Sequence, residues 1–407
     1  MASSYKAPMP TVQKNPIKEV GNLNPPTRLL CGPGPGNAHP RVHAAMSLPQ
    51  IGHLDPAFMA LVEDLKALLR YVWQTDNEFT IPVSGTGSAA WEAAVANLTS
   101  PGDVHLTCVN GYFGERHCDM ASRYGAKVER LERPWGEAFT LAEITAAMEK
   151  TKPQILWLCY AETSTGIRQP MEGIAELCRK HECLLMLDTV TAIGGVPLYL
   201  DKWGVDACYA GTQKCLSCPP GVAPLTLGPR ALAKMAKRAE KGEKVANWYL
   251  DMTMIQKYLV AAAGAPRVYH HTAPISMVYA FREALTLIAE EGLEEVWKRH
   301  SDTAEYFWGL MADMGLEMLV KDPNERLTSL HTVKVPEGIN AAEAVKHCRE
   351  KFRIEIGGGL GAALSGKIWR IGLMGFNSRK EIALQVAAAL KDALMAQGWK
   401  GPNKGVL

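Results

Sequence analysis

Between about residues 80 and 230 the chain alternates short apolar runs with amphipathic stretches. The strands predicted from these runs are 105–109, 127–131, 155–160, 184–187, 207–210 and 223–227. Helical stretches such as 171–181 separate them. This alternation predicts an α/β fold with a mostly parallel sheet that helices cover on both faces. Ligands bind beyond the carboxyl ends of the strands in such sheets, so the chemistry is expected directly after these runs.

The pattern changes after about residue 275. A long periodic stretch at 276–297 predicts one helix that ends the first domain and leads into a second. Strands are predicted at 330–335, 354–356 and 368–371, and a last helix at 380–395, which is typical of a smaller α+β domain. Because 407 residues exceed one ordinary core, we expect a large domain at 28–290 and a small domain at 291–407. Residues 1–27 are rich in Pro, Lys and Asn, which predicts an extended N-terminal arm rather than a helix.

The amino-acid composition disfavours several kinds of binding partner and indicates the cellular compartment of the protein. Forty-four basic and 42 acidic residues nearly cancel, which disfavours nucleic acid and anionic membranes as partners. No apolar run approaches the roughly 18 residues needed to span a bilayer, and the N-terminus lacks the apolar stretch of a secretory signal. Ten scattered cysteines favour a reducing intracellular compartment, the cytoplasm first, with peroxisome or mitochondrion as alternatives. Cys215 and Cys218 have redox or zinc spacing without a second pair, so no metal site is predicted.

A lysine stands directly after the apolar run at 207–210. Lys214 would leave the edge of the sheet and enter a cleft. A lysine amine forms Schiff bases with carbonyl compounds once burial or a neighbouring cation lowers its pKa. A lone lysine after a strand is more often a solvated loop residue, so this interpretation depends on its neighbours.

Asp188 ends another predicted strand, at 184–187. Catalysis by pyridoxal phosphate needs a carboxylate that keeps the pyridine nitrogen protonated, because the ring then withdraws electrons from the substrate carbanion. The alternative is a helix N-cap, which is also common after a strand and contributes about 1 kcal/mol.

A glycine turn, Ser84-Gly-Thr-Gly-Ser88, joins an apolar run at 79–83 to a helical stretch at 89–98. Glycines let backbone N–H groups approach a phosphate at the start of a helix. On this turn alone a dinucleotide site is an equal candidate. Ala90 stands where the last glycine of that fingerprint would be, which disfavours a dehydrogenase.

Arg370 lies within an apolar run, where a desolvated charge needs a partner. One interpretation is a salt bridge to a buried glutamate. The other is a bidentate clamp on the α-carboxylate of an amino acid. The glycine-rich loop at 357–361, just before it, could flex over a site or form a plain turn.

In this order the motifs resemble the class V aminotransferase family of fold-type I pyridoxal-phosphate enzymes, from about residue 29 to 394. The resemblance is closest to the alanine–glyoxylate (serine–pyruvate) aminotransferase branch. The matching segments are Gly-Pro-Gly-Pro at 32–35, Asn-Gly-Tyr-Phe-Gly at 110–114, Glu-Thr-Ser-Thr-Gly at 162–166, the strand before Asp188, Gln213-Lys214, Pro-Pro-Gly at 219–221, Tyr-His-His-Thr at 269–272 and Arg-Ile-Gly at 370–372. The resemblance implies a mostly parallel seven-stranded sheet.

The resemblance also implies roles, position by position. Lys214 would hold the coenzyme as a Schiff base and then carry a proton, and Asp188 would pair with the pyridine nitrogen. Arg370 and Gly34 would face the substrate. Further coenzyme contacts are expected from Thr86, Gly87, Ser88, Phe113, Thr163 and Gln213, the phosphate being held by the first three and the last.

Tyr269 and Thr272 would reach the phosphate of a neighbouring subunit, which implies a homodimer with shared sites. Without the family this segment predicts a buried loop or, weakly, a metal site. Two positions depart from the family pattern. Phe113 replaces a stacking tryptophan with a smaller ring, and Ser88 replaces a frequent histidine while keeping a donor for phosphate.

The expected activity is ping-pong transfer of an amino group from alanine or serine to glyoxylate. Serine–pyruvate, 3-hydroxykynurenine and 2-aminoethylphosphonate transaminases remain alternatives on the same scaffold. No second arginine is evident, which disfavours aspartate and glutamate as donors. A cysteine desulfurase is disfavoured because 351–370 contains no cysteine. A binding protein without activity is disfavoured because packing alone would not require Lys214, Asp188 and Arg370 together.

Overall fold

The computed structural model describes residues 13–260 and 267–401. Its central sheet has seven strands in the order β2-β10-β9-β8-β5-β3-β4, and a smaller one has the order β11-β14-β13. The strands are β1 Leu29–Leu30, β2 Phe79–Gly85, β3 Val104–Val109, β4 Lys127–Glu132, β5 Ile155–Cys159, β6 Ala161–Glu162, β7 Ile167–Arg168, β8 Leu184–Asp188, β9 Ala207–Tyr209, β10 Gly221–Leu227, β11 Leu330–Lys334, β12 Ile354–Glu355, β13 Gly357–Gly358 and β14 Ile368–Gly372.

The helices cover the sheets and connect their strands. They are α1 Ile17–Val20, α2 Pro40–Met46, α3 Pro56–Trp73, α4 Gly87–Leu98, α5 Tyr112–Arg123, α6 Leu141–Thr151, α7 Ile174–Lys180, α8 Pro229–Glu240, α9 Met252–Leu259, α10 Ile275–Glu291, α11 Leu293–Asp313, α12 Ala341–Phe352 and α13 Lys380–Met395. None of them, within the residues described, combines the length and apolar character needed to cross a membrane.

The seven-stranded sheet is parallel except at β10, which runs antiparallel to both β2 and β9. Every residue of β5 and β8 is buried, as the continuous apolar runs predicted for a sheet covered on both faces. The prediction of a mostly parallel α/β sheet is confirmed. Because β2, β5, β8 and β9 run in the same direction, their carboxyl ends meet at one edge.

The prediction of a single helix at 276–297 is wrong. The structure has two helices, α10 and α11, which meet at Gly292. The backbone φ of Gly292 is 93°, a conformation that residues with a Cβ rarely adopt, so the helix cannot continue through it. The apolar period runs on across the glycine and hid this break.

Buried apolar residues form two large clusters. One surrounds the seven-stranded sheet, and the other lies between α11, α12, α13 and the small sheet. These clusters support the division into a large and a small domain, whose boundaries stay a prediction. Of the predicted arm, residues 1–12 lie outside the described part, and Ile17–Val20 form a helical turn instead of extended chain.

Candidate active site

Polar side chains from four parallel strands converge at the carboxyl edge of the sheet. They surround a cavity of about 180 Å³. Its lining residues are Thr86, Gly87, Ser88, Trp91, Phe113, Arg116, Cys159, Thr163, Asp188, Val190, Gln213 and Lys214. Eight of these were predicted from the sequence, so residues up to 128 positions apart (86 to 214) do meet. A larger cavity of about 360 Å³ lies behind the Lys214 loop, and its charged lining residues, Glu290, Glu291 and Arg299, are all paired in salt bridges.

Lys214 is buried, and its Nζ donates a hydrogen bond to the carbonyl of Pro33. Burial, and then the positive charge of Arg370, lower the pKa of Lys214 to about 8. The solvated-loop interpretation is therefore wrong. The neutral amine, which is the nucleophilic form, becomes accessible near physiological pH.

Gly34 lies directly against the Lys214 side chain. A Cβ built on it would stand 2.6 Å from Lys214 Cδ, and its φ of 108° strains any other residue. Gly34, which was predicted to face the substrate, thus lies in close contact with the side chain of Lys214.

Asp188 ends β8 and is buried. Its Oδ1 accepts a hydrogen bond from Val190 N at 2.9 Å, and the Tyr209 hydroxyl also bonds to it. Desolvation nevertheless raises the pKa of Asp188 to about 7. A turn and not a helix follows it, so the N-cap interpretation is wrong. The carboxylate lacks a cation at hydrogen-bonding distance among the described residues, and a pyridinium would supply one.

The glycine turn opens α4. Its N-cap residue Thr86 makes no side-chain cap, which leaves the first N–H groups of the helix for an anion. Gln213 Oε1 is buried and has no hydrogen-bond partner among the described residues. Because the oxygen and nitrogen of an amide are interchangeable in position, Gln213 can turn a donor towards the same anion.

Two further predicted residues border the cavity on its other side. Phe113 is the second residue of α5, with its ring centroid 6.5 Å from that of Trp91. Thr163 Oγ1 lies 2.5 Å from Thr191 Oγ1. Ring and hydroxyl can reach a flat ligand that spans Asp188 and Lys214.

Arg370 comes from β14 of the small sheet. Its Nε donates to the carbonyl of Gly358 at 2.8 Å. No carboxylate of residues 13–260 and 267–401 lies within 4.0 Å of it, so the salt-bridge interpretation is not met there. Burial lowers the pKa of Arg370, and the nearby charge of Glu162 opposes this. The terminal nitrogens are free to bind a carboxylate.

Tyr269 and Thr272 do not line the cavity of their own chain. Both are exposed, Tyr269 by 58%. Between them, His271 Nε2 lies 2.6 Å from Ser84 Oγ in the glycine turn, so the segment sits beside the entrance. The metal interpretation has no support, since the described part of the chain holds no cluster of three potential ligands.

Four lining residues were missed: Trp91, Arg116, Cys159 and Val190. Cys159 could have been found because it ends β5 directly beside Asp188 in the sheet. Trp91 follows Gly87 by one helical turn and so shares its face. Arg116 follows the predicted Phe113 by three residues on α5 and so shares its face, with its guanidinium 5.1 Å from the Phe113 ring.

Comparison with known proteins agrees with this geometry. The sequence profile described as "Aminotransferase class-V" matches residues 41–384. The chain belongs to the class V aminotransferase family. It is therefore a pyridoxal-phosphate-dependent aminotransferase of fold type I. Three features of the described residues fit the pyridinium, phosphate and aldehyde of that coenzyme: the Asp188 carboxylate without a cation, the uncapped start of α4 and the buried amine of Lys214.

Similar proteins cover most of the chain. An alanine–glyoxylate aminotransferase of Mus musculus is 42% identical over 372 residues, covering 91% of this chain and 89% of that protein. The crystal structure of an alanine–glyoxylate aminotransferase from Nostoc sp. is 52% identical, with a TM-score of 0.90 over 94% of this chain and all of that one. A ureidoglycine–glyoxylate aminotransferase structure from Bacillus subtilis is 36% identical, with a TM-score of 0.90 over 94% of this chain and 97% of that one.

Proposed function

We propose that this class V aminotransferase moves the amino group of alanine or serine to glyoxylate by ping-pong chemistry. The observation that carries the proposal is the environment of Arg370. Its guanidinium is partly buried, is held at Nε by a backbone carbonyl, and faces Lys214 closely enough to lower the lysine pKa. A carboxylate at its terminal nitrogens would place the amino-bearing carbon of a small amino acid near the lysine. The names of the relatives support glyoxylate as acceptor.

Pyridoxal phosphate, when bound, would supply a ring that withdraws electrons from the substrate carbanion and an aldehyde that takes up the amino group. Lys214 takes a proton from the substrate carbon and delivers it elsewhere, for which a pKa of about 8 is well matched to neutral pH. Asp188 keeps its negative charge against the ring nitrogen, and Tyr209 orients it. The start of α4 binds phosphate and fixes the orientation of the ring.

A homodimer with shared sites is part of the proposal. Tyr269 and Thr272 are exposed beside the glycine turn and have no role in the cavity of their own chain. A second copy that packs on this surface would bring the two side chains to its neighbour's phosphate site. A reducing intracellular compartment is supported by the cysteines, since all ten are free and buried.

A specific observation favours a second class of donor. Arg116 lines the cavity and makes no salt bridge that the described residues record, which weakens the sequence argument that no second arginine is present. In 2-aminoethylphosphonate a dianionic phosphonate replaces the carboxylate, and its three oxygens offer acceptors to both guanidinium groups.

A panel of donors, tested by half-reaction spectroscopy, distinguishes these functions. The yellow holoenzyme should bleach with alanine and serine, and glyoxylate should restore the colour. Arg370→Gln should lower kcat/KM for alanine by at least about tenfold, since it removes a charge-assisted contact. Arg230→Gln, at the opposite edge of the sheet, is the matched control and should react normally. Bleaching by 2-aminoethylphosphonate but not by alanine would overturn the proposed donor.

A further inference from the structure

The start of α5 lacks a cap of its own. The residue before it, Gly111, has no side chain, and the first two N–H groups of the helix belong to Tyr112 and Phe113. Tyr112 N donates to Ser164 Oγ at 2.9 Å, and Phe113 N donates to Glu162 Oε2 at 3.2 Å. The cap is therefore supplied by another element, the turn after β6.

Glu162 is held in place by further hydrogen bonds. Its Oε1 accepts from Ser164 N at 2.9 Å and from Ser164 Oγ at 2.6 Å. With Phe113 N, three donors converge on a side chain that has no exposed surface. Desolvation raises the pKa of Glu162, but the three donors on its two oxygens and the charge of Arg370 favour the ionised carboxylate. An ionised carboxylate also suits the positive end of a helix.

The fit around this carboxylate is close. A Cβ on Gly111 would stand 2.3 Å from Glu162 Cδ and 2.7 Å from Ser164 Oγ. The backbone of Gly111 is extended, which suits any residue, so glycine is required at this position only for lack of space. The carboxylate and the helix start thus pack directly against each other.

Two components of the active site meet at Glu162. Phe113, whose N–H it binds, lines the coenzyme cavity. The turn after Glu162 contacts the strand beside Arg370: Thr332 Oγ1 donates to Thr165 O at 2.7 Å, and Thr332 pairs with Arg370 between β11 and β14. The charge of Glu162 therefore acts on Arg370, with which it forms no salt bridge in the described part of the chain. A negative charge near Arg370 attracts the guanidinium and repels an incoming carboxylate.

We propose that Glu162 is a positioning residue: its carboxylate caps α5 and so fixes Phe113 against the coenzyme, and its charge competes with the substrate carboxylate for Arg370. The second part rests on the proposed substrate contact of Arg370. Coenzyme binding and carboxylate binding should therefore respond to loss of this charge with opposite signs.

Glu162→Gln tests this proposal because it keeps the shape and removes the charge. Titration of the apoenzyme with pyridoxal phosphate, followed by tryptophan fluorescence, should show about tenfold weaker binding after loss of a charge-assisted cap. Propionate, a carboxylic acid without an amine, should bind the holoenzyme about threefold more tightly, followed by the coenzyme absorption. Weaker binding of both pyridoxal phosphate and propionate would indicate a merely structural role and overturn the proposal. Two unchanged dissociation constants would also overturn it.

Matched variants separate the two parts. Ser164→Ala weakens the cap but keeps the charge, so coenzyme binding should fall while propionate binding stays unchanged. Asp206→Asn removes a buried carboxylate at the opposite edge of the sheet and should change neither constant. If Glu162→Gln does not fold by circular dichroism, Glu162→Asp replaces it and should weaken coenzyme binding without tightening propionate. Arg370→Gln tests the substrate contact independently: normal propionate binding there would overturn that contact and leave the coenzyme result to decide the cap.

Discussion

The two edges of the seven-stranded sheet handle buried charge in different ways. At the amino edge, charges are paired: Arg230 lies 3.0 Å from Asp206, and Lys234 lies 2.5 Å from Asp103. At the carboxyl edge four charged side chains are buried or partly buried: Lys214, Asp188, Glu162 and Arg370. These four side chains, all within the described residues, form no salt bridge with one another. The pKa values there move to about 8 for Lys214 and about 7 for Asp188. Burial also raises the pKa of Asp206, but the charge of Arg230 opposes that rise.

The difference supports the carboxyl edge as the proposed active site, because unpaired buried charges are costly. An isolated buried charge is expensive, so a chain that keeps several of them unpaired needs something that binds there. Pyridoxal phosphate supplies a cation, an anion and an aldehyde, and the substrate supplies a carboxylate. Charges at the amino edge stabilise the fold by themselves. Variants at the two edges should therefore separate function from stability.

The largest effect is expected at Lys214. Lys214→Ala removes the proposed Schiff-base amine and proton carrier, so turnover should fall by at least about 10³-fold in a steady-state assay with alanine and glyoxylate. Lys234→Ala, which removes a paired lysine at the amino edge, is the control and should keep normal turnover. Full turnover of Lys214→Ala would remove the central claim about the site.

The next effect concerns stability at the amino edge. Asp206 accepts hydrogen bonds from Leu185 N at 2.8 Å and Arg230 at 3.0 Å. Asp206→Ala should lower the free energy of unfolding by about 2 kcal/mol, measured by urea denaturation, because Leu185 N–H and Arg230 lose the carboxylate that accepts their hydrogen bonds. Turnover per folded molecule should not change. A loss of turnover with unchanged stability would contradict the comparison.

The smallest effect is expected at Asp188, and its sign depends on pH. The folded-state pKa of about 7 exceeds the ordinary value of 3.8, so Asp188 destabilises the apoenzyme increasingly as pH rises from about 4 to about 7. Asp188→Asn should therefore raise the apoenzyme melting temperature at pH 8 and not at pH 4. Its turnover should still fall by at least about tenfold, since the ring nitrogen loses its anion. If Asp188→Asn melts at a lower temperature than the original apoenzyme at pH 8, the ionised carboxylate does not destabilise the apoenzyme.

Much of the fold followed from periodicity. The predicted strands begin and end within about two residues of the observed ones. A short apolar run between helical stretches is typical of a buried strand, and this is why the prediction succeeded. The helix at 276–297 failed since one glycine outweighed the apolar period. Lys214 and Asp188 could be proposed because each directly follows or ends a strand. Arg116 was missed although it stands one helical turn after Phe113 on α5.

The sequence by itself determined which elements form and which reactive side chains stand at strand ends, because hydrophobic period and chain position are local properties. The family motifs added the coenzyme. Only the tertiary structure decided which charges remain unpaired, that Glu162 caps a helix 50 residues earlier in the chain (112 to 162), and that Arg370 from the small sheet faces Lys214. These features depend on distances between segments remote in sequence, and close packing sets such distances.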